Sequence, residues 1–230
     1  MSGEFEVRRE VALPATPEQV WAAVATGPGL TAWFMPMELD PASDTVTAWE
    51  PGSRLAVRTP AAEGGAAQTF EYRIEPGTDG TVLRFVHGGL ATDELAGITG
   101  RGWDMYLHTL AQYLRHFPGR TATYIEAEAP QSSADASAWP VLLRALGLPE
   151  AVGPGDAVRV TPDGLEPLAG TVDYLAADFL GIRTSDALYR FHGRAALGMT
   201  IAVGHHLYRD GVDPERTTRA WQTWLDGVFA

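Results

Sequence analysis

The sequence predicts an α+β protein, because segments with the two-residue period of strands are followed by segments with the 3.6-residue period of helices. Residues 44–90 hold four candidate strands separated by short turns, and residues 101–117 restore the helical period. Short turns favour an antiparallel meander, since a parallel pair needs a crossover of about a dozen residues or more. A second stretch, 138–230, again places strands before a terminal helix.

The chain begins with a strand and two short helices. Residues 4–13 alternate imperfectly between apolar and polar side chains, which predicts a strand. The run TPEQ at 16–19 predicts a helix start, because its threonine can cap, its proline suits the first helical position and its glutamine completes a capping box. The Gly-Pro-Gly run at 27–29 ends that helix, and residues 30–34 predict a second one.

The meander and its closing helix follow. The candidate strands are 45–50, 54–59, 68–75 and 81–88, and turn residues stand at 51–52, 63–65, 76–80 and 88–89. The closing helix carries a full apolar stripe formed by Trp103, Tyr106, Leu107, Leu110, Tyr113, Leu114 and Phe117. Pro118 and Gly119 end it.

The second half is set off by a small, polar, proline-containing segment. We interpret residues 121–137 as a linker between a first domain, 1–120, and a C-terminal α+β region, 138–230. That region has a short amphipathic helix at 139–148 and a last helix at 215–225. Its candidate strands are 157–161, 169–175, 178–184, 187–192 and 199–208.

Composition excludes several classes of function. The formal net charge is −12 over 230 residues, and no basic stripe of the kind that nucleic acids or anionic membranes require is visible. The absence of cysteine removes thiol nucleophiles, disulfides and thiolate metal sites. No apolar run has the length of a signal peptide or a membrane span, so we expect a cytoplasmic protein.

Four motifs in the first domain resemble a known superfamily. They are VALPATPEQVWAAVATGPGLTAWFMP (11–36), WEPGSRLAV (49–57), GTVLRFVHGGL (80–90) and GWDMYLHTLAQYL (102–114). Their order is similar to that in the SRPBCC superfamily (START proteins, polyketide cyclases and birch-pollen allergens). The branch they resemble most is named after the activator of the heat-shock-protein ATPase.

The resemblance implies a helix-grip fold, in which an antiparallel sheet wraps around a long helix and leaves an apolar cavity between them. Members of this branch usually carry two further strands between the W-F motif and the P-x-x-R-L strand, but only residues 35–49 separate these motifs here. We therefore expect a sheet shortened by one hairpin, or one completed by an element from 150–230, since open sheet edges invite aggregation. The C-terminal part resembles an appended segment of some actinobacterial-type members.

Aromatic side chains in the first domain are the candidate ligand-binding residues, because apolar ligand sites combine aromatic walls with few polar groups. The candidates are Trp33, Trp49, Phe70, Tyr72, Phe85, His87, Trp103, Tyr106 and Leu110. Plain core filling is the alternative, since aromatic residues bury a large area in any fold.

No residue is assigned a catalytic role, and neither a cofactor nor a metal is expected. His87 and His108 could supply acid–base chemistry near a cavity mouth, but a structural role for His87 and a solvated position for His108 are the simpler interpretations. His205 and His206 are neighbours in a candidate strand and point to opposite faces, so one ion cannot take both. Nucleophile elbows, P-loops and dinucleotide fingerprints are missing.

The sequence thus leaves three functions open. The first is non-catalytic binding of a small apolar or aromatic molecule in the grip cavity. The second is an aromatase/cyclase-like enzyme using Tyr72, Tyr106 or His87, and the third is a chaperone-cofactor-like interaction module. A protein partner, including a second copy of the chain, is left open.

Overall fold

The computed structural model describes residues 3–61 and 66–230, and the predicted turn at 63–65 lies outside them. The chain divides into two compact units, Met1–Thr121 and Ala122–Ala230. Each unit has its own antiparallel sheet. The predicted α+β class is confirmed.

The described part of the first unit consists of one sheet and three α-helices. The strands are β1 (Gly3–Leu13), β2 (Val46–Glu50), β3 (Arg54–Arg58), β4 (Thr69–Gly77) and β5 (Gly80–Ala91). The helices are α1 (Pro17–Ala25), α2 (Gly27–Thr31) and α3 (Asp93–His116). The strands lie in the order β1-β5-β4-β3-β2, and side chains of the sheet contact α3. The predicted helix-grip architecture is therefore confirmed for this unit.

Local chemistry sets the helix starts. The capping box before α1 is present, with the Thr16 hydroxyl accepting from the Gln19 backbone N–H and the Gln19 side chain accepting in return. Helix α3 begins at Asp93, eight residues before the predicted start at 101, because the Thr92 hydroxyl caps it by accepting from the Leu95 N–H. Glycines at 97, 100 and 102 weaken helix propensity and hid these turns from the sequence pattern.

An ion pair fastens α3 to the edge strand β1. The Arg9 guanidinium on β1 binds the Asp104 carboxylate on α3, with one Nη2–Oδ2 distance of 3.1 Å. The same Nη2 donates to the Gly100 carbonyl at 3.3 Å. A side chain at Gly100 would place its Cβ 3.1 Å from that nitrogen, so the glycine gives Arg9 room to reach the helix.

The β4–β5 hairpin turns tightly, and Gly80 makes this turn feasible. Its φ of 141° lies in a region that residues with a side chain rarely adopt. A Cβ there would lie 2.2 Å from the Leu13 carbonyl oxygen. The hairpin can therefore close against the end of β1 only with glycine at this position.

The structure describes every residue of the second unit, and this unit contains six strands. They are β6 (Thr123–Glu128), β7 (Ala157–Val160), β8 (Leu168–Ala176), β9 (Phe179–Arg183), β10 (Ala187–His192) and β11 (Ala202–Leu207). Their order is β6-β11-β10-β9-β8-β7, with helices α4 (Ala138–Ala145) and α5 (Pro214–Val228) in the same unit. All six strands form a sheet of their own. Within the described residues, the expectation that an element from 150–230 completes the first sheet as a strand is therefore wrong.

The segment 121–137, interpreted above as a linker, is also corrected. Residues 123–128 form β6, which pairs with β11 along its whole length. Ile125 and Ala127 alternate with exposed Glu126 and Glu128, so this strand buries one small apolar face. Alanine is a weak strand former, and this composition concealed the alternation.

No helix of the described ranges is long and apolar enough to cross a membrane.

The assignment of β6 predicts the effect of a core truncation. Ile125 is fully buried in the core of the second unit, so Ile125→Ala should lower the free energy of unfolding by about 2–5 kcal/mol. Glu126→Ala, on the exposed face of the same strand, should change it by no more than about 0.5 kcal/mol. Urea denaturation of the full chain measures both. Equal, small effects would mean that 123–128 does not belong to the core.

Candidate functional site

The candidate site is a cluster of rings on the inner face of the first sheet. Phe70 faces its cross-strand partner His87, and Tyr72 faces Phe85, so alternation along β4 and β5 puts all four on one face. Trp103 of α3 lies over them, with ring centroids 4.1 Å from Phe85 and 6.0 Å from Phe70. Tertiary structure thus brings together five of the residues that the sequence singled out.

Phe34, just after α2, completes the cluster, although it was not predicted as a site residue. Its ring stacks on Trp103 at 5.5 Å and meets Tyr106 edge-on at 4.7 Å. Trp103 also contacts Tyr106 at 5.8 Å, one helical turn along α3. The W-F motif was the available signal for Phe34, but sequence alone gave no reason to prefer it over Trp33.

The remaining predicted residues lie at the edge of the cluster or outside it, and Trp33 contacts Phe34 with ring centroids 5.5 Å apart. Trp33 is fully buried and donates its indole N–H to the Ala23 carbonyl at 2.9 Å, which ties α2 to α1. Trp49 packs edge-on against Trp21 of α1 at 5.2 Å, and the described ring contacts do not join it to the Trp103 cluster. Leu110 is fully buried on α3.

His87 is the polar centre of the cluster. The Trp103 indole N–H donates to His87 Nδ1 at 2.8 Å. An indole nitrogen can only donate, so Nδ1 must be unprotonated and Nε2 carries the hydrogen. That Nε2–H donates to the Gln68 side-chain oxygen at 2.9 Å. A chain of two hydrogen bonds therefore leads from the interior to an exposed glutamine.

Apolar surroundings keep His87 neutral. The Phe70 ring stacks on the imidazole at 4.3 Å, and the Phe5 ring meets it edge-on at 5.2 Å. Burial lowers the pKa of His87 to about 4. With both ring nitrogens engaged and no charge at neutral pH, His87 serves here as a hydrogen-bonding group and lacks the free nitrogen that a general base requires.

Tyr72 is the second polar group on this face, and its hydroxyl differs from the His87 ring in its hydrogen bonding. The residue is 6 % exposed, and burial raises the pKa of its hydroxyl far above the usual value. Among residues 3–61 and 66–230, no group hydrogen-bonds to this hydroxyl. The hydroxyl oxygen is not one of the buried polar atoms without a partner, so the ring is buried while its polar end reaches solvent. Tyr72 thus presents a polar group that the described residues do not use.

The other candidate histidines do not join the site. His108, predicted to be solvated, is half-buried on α3. In the second unit, His205 contacts Trp221 at 4.4 Å while its neighbour His206 contacts Tyr124 at 5.2 Å, so the two rings lie on opposite faces of β11. In the part of the chain that is described, no three histidine or carboxylate side chains come together as a metal site would require.

Three surface clefts are formed by described residues, and one of them adjoins the cluster through Phe5. Two of about 350 and 510 Å³ run along α5, and one of about 680 Å³ lies beside residues 4–6 of β1. None of the nine predicted residues lines any of these three clefts. The space between the first sheet and α3 is instead occupied by rings in mutual contact.

A protein-family model matches most of the first unit. Residues 14–115 match the family model described as "Activator of Hsp90 ATPase homolog 1-like protein". This match covers the four sequence motifs almost completely. No curated protein matches the chain.

Several solved structures are similar to the chain. A Mesorhizobium loti protein is 22% identical over 49% of this chain and 98% of its own, with a TM-score of 0.45. An AHSA1-like protein from Rhizobium etli is 24% identical over 51% of this chain and 84% of its own, with a TM-score of 0.40. DynU16, from the dynemicin biosynthetic locus, is 18% identical over 97% of this chain and 95% of its own, with a TM-score of 0.42.

The burial of His87 predicts that its imidazole has a lowered pKa. The folded chain binds a proton at His87 only near pH 4, whereas the unfolded chain does so near pH 6.5. The contribution of His87 to stability is therefore complete above pH 6.5 and is lost as pH falls towards 4. NMR of ¹⁵N-labelled imidazoles should show a neutral ring with Nε2–H down to about pH 4. A midpoint near 6.5, or an Nδ1–H form, would contradict the assignment.

The absence of a hydrogen bond to the Tyr72 hydroxyl among the described residues predicts how its removal affects stability. Tyr72→Phe should change the free energy of unfolding by no more than about 0.5 kcal/mol, because no hydrogen bond among the described residues is lost. In Tyr113→Phe the lost hydroxyl is bonded to the backbone at Gly119, so that variant should lose about 1 kcal/mol. Urea denaturation compares the two. A larger loss in Tyr72→Phe than in Tyr113→Phe would show that the Tyr72 hydroxyl has a partner.

Proposed function

Because residues 14–115 form an AHSA1-like domain of the SRPBCC superfamily, we propose that the first unit binds a small apolar or aromatic molecule between its sheet and α3 without catalysing a reaction on it. The domain's fold alone does not fix this function, since one fold hosts many activities. The proposal therefore rests on the chemistry of the ring cluster.

The observation that carries the proposal is the Tyr72 hydroxyl. It is a donor and an acceptor at the end of a buried ring, and no described residue bonds to it. A bound molecule with one polar group would hydrogen-bond to it in place of solvent. Tyr72 would then fix the orientation of a ligand whose remaining surface is apolar.

The lining around Tyr72 suits such a ligand. The Phe85 ring lies 5.0 Å from the Tyr72 ring and 4.1 Å from the Trp103 ring. The other side chains of the cluster, apart from His87 and Tyr106, are hydrocarbon or indole rings. Apolar walls with few, well-placed polar groups are what small-molecule sites have in common.

Binding requires the rings to make room. Phe34, Phe70 and Tyr106 are only half-buried, whereas Phe85 and Trp103 are buried. The half-buried rings lose fewer contacts when they turn aside, and a flat ligand replaces those contacts with its own. We therefore expect access past Phe34 and Phe70, with Phe85 and Trp103 staying in place.

The cyclase-like alternative has less support from the same geometry. Both nitrogens of His87 are engaged, and its low pKa keeps it neutral. The Tyr72 pKa is raised, so its phenolate is not accessible near neutral pH. Neither group can take up a proton as a general base at pH 7.

The proposal predicts binding of an aromatic probe that depends on Tyr72. Isothermal titration calorimetry with 2-naphthol should show a single site on the full chain. Tyr72→Phe should weaken it by about 2- to 10-fold, the effect of one neutral hydrogen bond of about 0.5–1.5 kcal/mol. Tyr113→Phe, whose hydroxyl already has a backbone partner, should bind as the native chain does.

Native mass spectrometry of the protein purified from cells provides an independent check, because a retained small molecule would appear as a discrete added mass. Absence of 2-naphthol binding up to its solubility limit, together with no retained mass, would refute small-molecule binding and favour the protein-interaction alternative.

A further inference from the structure

We infer that Gln68 is a displaceable cap on His87, and that the ligand presents an uncharged acceptor oxygen to the His87 Nε2–H in place of the Gln68 side chain. This inference rests on the proposed function and adds the chemical class of the ligand to it. The class is a neutral molecule with a ring system and a carbonyl, ether or amide oxygen.

His87 can offer only a hydrogen-bond donor to a ligand. The Trp103 indole N–H donates a hydrogen bond to His87 Nδ1 at 2.8 Å. The indole cannot accept, so the proton stays on Nε2 whatever binds there. A ligand at this nitrogen must therefore supply an acceptor, as the Gln68 oxygen does at 2.9 Å.

The Gln68 side chain can leave His87 Nε2 at low cost. Gln68 is exposed and precedes β4, so its side-chain amide can hydrogen-bond to water when it swings away. His87, by contrast, is 5 % exposed and keeps Nε2 in an apolar setting. Leaving that N–H without a partner is costly, so an incoming acceptor must take over as the glutamine leaves.

The immediate surroundings of His87 are uncharged. Its ring contacts and hydrogen bonds within the described residues are with Phe5, Phe70 and Trp103 and the neutral amide of Gln68. A carboxylate placed there would lose its hydration without a cation among these groups, and an ammonium group would meet an N–H that also donates. An uncharged acceptor avoids both costs.

The positions of the two polar residues on the sheet guide the choice of probe. Tyr72 is paired with Phe85 and His87 with Phe70, so Tyr72 and His87 are diagonal neighbours on one face. The backbone positions of such neighbours stand about 7–8 Å apart in an antiparallel sheet. We therefore choose probes with a fused two-ring system, whose length is similar to this spacing.

Two probes of nearly equal shape test this inference, 2-acetonaphthone and 2-isopropylnaphthalene, which differ in the ketone oxygen. The full-length native chain should bind the ketone about 3- to 10-fold more tightly than the hydrocarbon. Gln68→Ala should raise affinity for the ketone by a similar factor and leave the hydrocarbon unchanged, because only the ketone competes with the glutamine. Thr69→Ala, at the next position, should change neither affinity.

An NMR measurement on the native chain tests the same inference without a substitution that could disturb folding. In the native chain, saturation with the ketone should keep the His87 ring in its Nε2–H form and shift that ¹H–¹⁵N signal, whereas the hydrocarbon should not produce the same shift. If both probes bind equally and Gln68→Ala changes neither, this inference is overturned while binding in the cluster stands. If neither probe binds the native chain or Gln68→Ala, the proposed function fails and this inference fails with it.

Discussion

One hydrogen bond, from the Trp103 indole to His87, sets the arrangement of the first unit's interior. The indole is 6 % exposed, and a buried N–H must find an acceptor. Its acceptor stands on β5, so the same contact fixes the height of α3 over the sheet and the tautomer of the imidazole. Phe85 and Phe34 both contact the indole, and Arg9 links the helix to the edge strand.

The two polar groups on this face differ in their hydrogen bonding. His87 has both nitrogens hydrogen-bonded and is neutral, so it is stable where it lies and chemically inert. The Tyr72 hydroxyl, two residues along β4 from the strand partner of His87, has no hydrogen bond among the described residues. It is therefore the polar group of this face that remains available to a molecule from outside the chain.

The sequence predicted the order of elements well because each carries a local signal. The TPEQ capping box placed α1, and glycine-bounded alternation placed β4 and β5. The predicted helix was shorter than α3 because three glycines interrupt the first turns of the helix. Strand β6 was not predicted because Ala127 fills a core position that a larger residue usually occupies. The site was predicted in part. Periodicity finds Phe70, Phe85 and Trp103, but it cannot find Gln68 or the unpartnered hydroxyl of Tyr72, since hydrogen-bond partners are a property of the folded chain.

The central claim is that a small molecule occupies the space between β4, β5 and α3. The most direct test is the set of intermolecular nuclear Overhauser effects from bound 2-acetonaphthone in the isotopically labelled full chain. The account predicts contacts from the naphthalene protons to the Tyr72 and Phe70 rings and from the methyl ketone to the His87 ring. Contacts confined to the clefts along α5 or beside β1, with none to those three residues, would contradict it.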